Sequence, residues 1–182
     1  MPRLILLNGA PAVGKSTLAR QYAEDHPFAL NLDIDQVRRM LGRWRDDASR
    51  AGLLARSVAV AAAGAHLASG HDVVVPQLVG RVEFIERLAE TATEAGARFC
   101  EVFLVDDGAS IVRRFAERTR LAADPTHVDA GELMEDGEAG LHRWVDRIAD
   151  LMLLRPNAVT ISAAPGEIEE TYRRLISALD SE

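Results

Sequence analysis

Gly9-Ala10-Pro11-Ala12-Val13-Gly14-Lys15-Ser16 follows the spacing G-x-x-x-x-G-K-S/T, and Thr17 comes directly after it. Glycines at those places let consecutive backbone N–H groups turn inward around an anion. A helix that begins at the second glycine adds the positive end of its dipole. Lys15 then reaches β- and γ-phosphates, the Ser16 hydroxyl suits Mg²⁺, and Thr17 can contact an α-phosphate. The pattern is specific when a buried strand precedes it and a helix follows. Leu4-Ile5-Leu6-Leu7 is the continuous apolar run of a strand covered on both faces. A helix through about Tyr22 is expected next. The chemistry indicated is the binding of a nucleoside triphosphate, with Gly9 to Thr17 as its cradle.

Asp33-Ile34-Asp35 closes the second apolar segment, Phe28 to Leu32. Two carboxylates one residue apart at a strand end can serve different partners. Asp33 suits a water of a Mg²⁺ shell. Asp35 suits an attacking hydroxyl, as base or as orienting group, and it equally suits capping of the helix that starts there. Arg113, Arg114, Arg118 and Arg120 gather further along, with Arg114 and Arg118 four apart on one helix face. Such cations either stabilise a phosphoryl group in transfer or form a solvated face paired with Glu117. Arg43, Trp44, Gln77 and Arg81 are candidates for holding an acceptor molecule, since an aromatic flanked by arginines can stack on a polar ring. Packing of Trp44 at its helix end is the plainer alternative.

The elements that position these groups alternate. After the second strand, Val37, Met40, Leu41 and Trp44 mark a helix, and a long helix from about Ser49 to Ser69 places Leu54, Val58, Ala61, Ala65 and Ala68 on one stripe. Val73 to Val75 predicts a third strand, closed by Pro76-Gln77. Val82, Ile85, Leu88, Ala89 and Ala92 predict a helix that Gly96 stops. Phe99 to Val105 is a fourth strand, with Asp106-Asp107 placed to cap a helix through Ile111, Val112 and Phe115. Residues from about 119 to 137 are polar and rich in Asp, Gly and Pro, which reads as a lid. Leu141, Trp144, Val145, Ile148 and Leu151 give an amphipathic helix with Trp144 in the core. Ala158 to Ser162 is a fifth strand, and Ile168 to Leu179 a closing helix. Strands alternating with helices imply a parallel sheet covered on both faces, with ligands beyond the strands' carboxyl ends.

The composition agrees. A chain of 182 residues makes one domain. Its net charge of −7 argues against nucleic acid and against an anionic membrane surface as partners. Neither Leu4 to Leu7 nor the Ala-rich stretch from Val58 to Ala68 is long enough for a membrane span. A single cysteine, Cys100, excludes an internal disulfide and suits the cytoplasm. The five histidines show no metal-ligand spacing.

The order of P-loop, D-x-D, long central helix, third strand and Arg-x-x-x-Arg resembles the zeta-toxin and chloramphenicol-phosphotransferase branch of small P-loop kinases, with shikimate and gluconate kinases more distant. A weaker likeness to tunicamycin-resistance proteins lies in Val73 to Gln77 and Glu83-Phe84. The resemblance implies a three-layer α/β fold with five parallel strands in the order 2-3-1-4-5. It also implies transfer of the γ-phosphate of ATP, with Mg²⁺, to a hydroxyl of a small molecule. Asp35, Lys15, Arg114 and Arg118 would then be catalytic, and Ser16 and Asp33 would hold the metal. Ala163 to Gly166 lies where relatives hold adenine. An antibiotic, a nucleoside, a sugar and a nucleotide sugar are all open as acceptors. One departure stands out: Gln77 follows the third strand where many such kinases have an aspartate. It favours, as the alternative, a nucleotide-binding protein that sequesters a ligand without phosphorylating it. The guanine-selecting N/T-K-x-D of GTPases is absent.

Overall fold

Strand β1 (Arg3–Gly9) runs through the centre of the sheet, and its alternation of side chains builds two cores at once. The structure is a computed structural model that describes residues 1–106 and 137–181. Leu4 and Leu6 face one layer and Ile5 and Leu7 the other, each fully buried. Side chains on successive strand residues point to opposite faces, so a run of four apolar residues is what a strand covered on both faces needs.

Five parallel strands form the sheet in the order β2-β3-β1-β4-β5, as expected. They are β1, β2 (Leu30–Asn31), β3 (Val73–Pro76), β4 (Arg98–Val105) and β5 (Val159–Ser162). Leu4 pairs with Val73 and Phe99, and Leu7 with Pro76 and Val102, so the ends of β1 and β3 lie side by side. β2 is shorter than the sequence suggests. Phe28 takes φ 65° and is exposed, which delays the strand until Leu30.

Helices α1 (Lys15–Asp25) and α6 (Ile168–Ser181) cover the Ile5 face. Tyr22 of α1 is buried there, and its hydroxyl donates to Asp72 Oδ2 at 2.6 Å. Helices α3 (Ala48–Ala68), α4 (Val82–Glu94) and α5 (Gly137–Leu154) supply Ala55, Ala59, Leu88, Ile148 and others to the Leu4 face. The helix expected through Trp44 is broken. α2 (Ile34–Arg39) ends early, Arg43 takes φ 53°, and Trp44–Asp47 forms a short 3₁₀ turn before α3.

The face α3 buries differs from the expected one. Ala51, Ala55, Ala59, Ala63 and Leu67 pack inward, whereas Leu53, Leu54 and Val58 are exposed. Alanines four apart let the helix lie close to the sheet, and a larger side chain would hold it off. Trp44–Ala68 also has the length and composition to cross a membrane, longer than the Val58 to Ala68 stretch suggests; in this fold its alanine stripe packs on the core. Ala59→Leu should overpack this face and lower the unfolding free energy by about 2 kcal/mol. Leu54→Ala should stay within about 0.5 kcal/mol of the wild type. Urea unfolding of the two variants measures both, and a larger loss in Leu54→Ala than in Ala59→Leu would place the helix the other way round.

Candidate active site

The carboxyl ends of β1, β2 and β3 gather the groups singled out in the sequence. After β1, the chain turns through Gly9 at φ 146°, Ala12 at φ 64° and Gly14 at φ 108° before α1 begins at Lys15. Left-handed residues within this turn fold the backbone N–H groups into a concave nest. Gly9 has a second reason to be glycine: a Cβ there would lie 2.5 Å from the Leu104 carbonyl oxygen. Val13 is buried and anchors the loop. Lys15 Nζ donates to the Gly9 and Ala10 carbonyls at 2.9 and 2.8 Å, so the ammonium lies over the loop. Ser16 and Thr17 follow in the first turn of α1.

Asn8 is a residue the sequence analysis passed over. It is fully buried at the end of β1. Its Oδ1 accepts from Gly9 N at 2.8 Å and Val79 N at 2.9 Å, and its Nδ2 donates to Val79 O at 2.9 Å. One amide thus ties the phosphate-binding loop to the segment after β3. The available signal was a polar residue closing an otherwise apolar strand, directly before Gly9. Asn8→Ala leaves buried backbone groups of Gly9 and Val79 without partners. It should lower stability by about 3 kcal/mol, seen as an earlier midpoint in urea unfolding. A midpoint unchanged from the wild type would show that these groups find other partners.

At the end of β2 the two aspartates divide their roles. Asp33, not Asp35, caps α2, its Oδ1 accepting from Asp35 N at 2.9 Å and Gln36 N at 3.4 Å. Burial pushes the Asp33 carboxyl above the ordinary range and Asp35 adds to this, while the two capping bonds and Lys15 pull it down. Asp33 therefore feels both the P-loop lysine and Asp35. Asp35 lies in the first turn of α2 and pairs with Arg38, Nη2 to Oδ1 3.3 Å.

The acceptor candidates separate. Trp44 is buried, with Arg38 4.8 Å and Arg45 4.4 Å from its ring centre. The ring is thus packed at its helix end, as the plainer reading had it, and little of it is left for a ligand. Arg43 does not join the group: its side chain is 88% exposed and pairs with Asp46 at 2.6 Å. Gln77 continues the β3 ladder through its N–H to Leu7 O and is buried, and its Oε1 has no hydrogen-bond partner among the described residues. Arg81 stands before the first turn of α4.

Trp144 is only partly buried, outside the core. Its ring rests on Gly80, where a Cβ would fall 2.5 Å from it, and Arg147 donates to Gly80 O at 3.0 Å. Helix α5 thus sits on the segment that follows β3. Arg113, Arg114, Arg118, Arg120, Asp107 and the expected lid up to residue 136 lie outside the described residues.

A strand, a phosphate nest and a helix on a 2-3-1-4-5 parallel sheet define a P-loop protein of the kinase type. The family model described as an AAA domain matches residues 4–136, and the chain belongs to that family. The whole fold is similar to a gluconokinase from Sinorhizobium meliloti 1021, at 20% identity and TM-score 0.62 over 98% of this chain and 95% of that one. It is similar also to the tunicamycin resistance protein of Deinococcus radiodurans, at 12% identity and TM-score 0.64 over 98% of this chain and 96% of that one. No curated protein matches the sequence significantly.

Proposed function

We propose that this protein is a kinase that moves the γ-phosphate of ATP to a hydroxyl of a small molecule in the cytoplasm. The observation that carries the reading is that Asp33 caps α2 at the end of β2, which leaves Asp35 free of capping duty at the strand end, on the sheet edge that carries the phosphate nest. A P-loop alone signals nucleotide binding; a second carboxylate beside it gives the acceptor hydroxyl a place. The gluconokinase likeness supports the same class.

In this reading the loop from Gly9 to Thr17 holds the phosphates through its backbone N–H groups. Lys15 turns from the loop carbonyls to the β- and γ-phosphate oxygens. Asp35 accepts or orients the acceptor's hydroxyl proton. Arg114 and Arg118 are assigned to charge on the phosphoryl group in transfer. Ser16 and Asp33 offer the hard oxygen donors that Mg²⁺ prefers, one in the first turn of α1 and one at the end of β2. These two residues would hold Mg²⁺, and the ion would supply neutralisation of phosphate charge. Gln77 contributes no charge, which lends the sequestering alternative its support; its buried Oε1 suits a donor on the acceptor or a bound water.

Incubation of the protein with γ-labelled ATP, Mg²⁺ and a panel of alcohols decides between the two. A labelled small product is expected. Tight binding of nucleotide and a panel member, with no label transferred across the panel, would favour sequestration.

A further inference from the structure

The chain leaves β3 with little backbone pairing to guide it. Gln77 N–H donates to Leu7 O and ends the ladder. Among the described residues, no backbone–backbone hydrogen bond then involves Leu78, Val79 or Gly80. Backbone groups taken from water need other partners, and two side chains supply them. Asn8, from β1, takes both polar groups of Val79: its Oδ1 accepts from Val79 N and its Nδ2 donates to Val79 O, each at 2.9 Å. Arg147, from α5, donates from Nε to Gly80 O at 3.0 Å.

Close packing, not backbone conformation, requires glycine at position 80. Its φ is outside the left-handed region, but an added Cβ would lie 2.5 Å from the Trp144 ring and 2.8 Å from Arg147 Nε. Trp144 and Arg147 are three apart on α5 and share a face, with the guanidinium 5.4 Å from the ring centre. Both therefore bear on one residue. The other end of this line is the phosphate nest. The same Asn8 Oδ1 that accepts from Val79 accepts from Gly9 N at 2.8 Å. Asn8 is fully buried, and Gly9 is backed by the Leu104 carbonyl of β4. Neither has room to shift independently of its neighbours.

We infer that Trp144 and Arg147 are positioning residues for nucleotide binding: from α5 they fix Gly80, and Val79 and Asn8 carry that placement to Gly9, the first residue of the nest. This role rests on the reading of Gly9 to Thr17 as a phosphate cradle and does not need transfer to occur. A nest holds an anion through several N–H groups aimed at one point, so a small displacement of its first residue weakens the whole set. Packed side chains and hydrogen bonds in unbroken succession can carry such a displacement between elements. Trp144 and Arg147 act through Gly80 and touch no phosphate themselves.

Calorimetric titration of the full chain with a non-hydrolysable ATP analogue and Mg²⁺ provides the test. Arg147→Met keeps the reach of the side chain and removes its N–H groups. It should weaken binding of the analogue about threefold or more, and Arg147→Lys should restore part of the loss. Gly80→Ala should weaken binding about tenfold, and Trp144→Phe in the same chain, by making room for the new methyl, should recover most of it. In ¹⁵N-labelled protein without nucleotide, the Gly9 amide resonance should move in Arg147→Met, a change that loss of a purely local contact on α5 would not produce. Wild-type affinity in Arg147→Met or in Gly80→Ala, a loss in Gly80→Ala that Trp144→Phe leaves in place, or an unmoved Gly9 amide would each overturn the inference. If Gly80→Ala does not fold, the Arg147 variants and the Gly9 amide decide alone. Failure of the wild type to bind the analogue would remove the nucleotide reading and this role together. Wild-type binding with unaffected variants would remove the role and leave that reading standing.

Discussion

Lys15→Ala should reduce phosphoryl transfer by at least about 10²- to 10³-fold while the protein still folds. The lysine's ammonium bonds to the Gly9 and Ala10 carbonyls, on a loop at the carboxyl edge of the sheet. It contributes nothing to either apolar core. A cation directed at β- and γ-phosphate oxygens acts where charge changes during transfer, and loss of one such contact costs about 3–4 kcal/mol in the transition state. Circular dichroism and thermal unfolding should match the wild type, and turnover of labelled ATP should fall to background. Turnover near the wild-type rate would remove Lys15, and with it the P-loop, from the chemistry.

Asp35→Asn should lower transfer by roughly 10²-fold or more, the usual scale for a positioned base, with little change in affinity for ATP. The structure makes this substitution cleaner than the sequence suggested. Asp33 caps α2, so the helix keeps its N-terminal bond when Asp35 changes. Asparagine retains the size of the side chain. The lost pair with Arg38 involves an Asp35 side chain that is 39% exposed, and should cost about 1 kcal/mol or less. A fall in kcat with ATP binding preserved identifies a group that acts on the acceptor. Unchanged product formation would reduce Asp35 to a partner for Arg38 and make Asp33 the next residue to test. In a sequestering protein, Asp35→Asn could weaken ligand binding but would have no product to suppress.

The framework of the site was readable because it rests on local rules. Leu4 to Leu7, the G-x-x-x-x-G-K-S spacing and the three valines of β3 each specify their element with few alternatives, and the strand order follows the family likeness. What escaped depends on distances between elements. Hydrophobicity ranks Leu54 and Val58 above Ala55 and Ala59, so a count of apolar residues turned α3 the wrong way. Close approach to a sheet selects for small volume, which no transfer scale measures. Asp33 and Asp35 are alike in composition, and only the angle at which α2 leaves β2 decides which one caps. The i,i+3 spacing of Asp35 and Arg38 was a usable signal. Asn8 was a second, since a buried polar side chain in a strand must find partners.

The shortness of β2 has a bearing on strand pairing at the sheet's edge. A strand at the margin of a sheet presents unpaired N–H and C=O groups that can template another chain. The margin carrying the two aspartates is a strand of only two residues, Leu30–Asn31, and the opposite margin, β5, has four. Each offers too short a ladder for stable addition of a foreign strand. The chain turns away from the ladder into α2 as soon as Asp33 is reached. The same early turn that brings the two aspartates to the end of β2 therefore also shortens the edge on which another strand could pair.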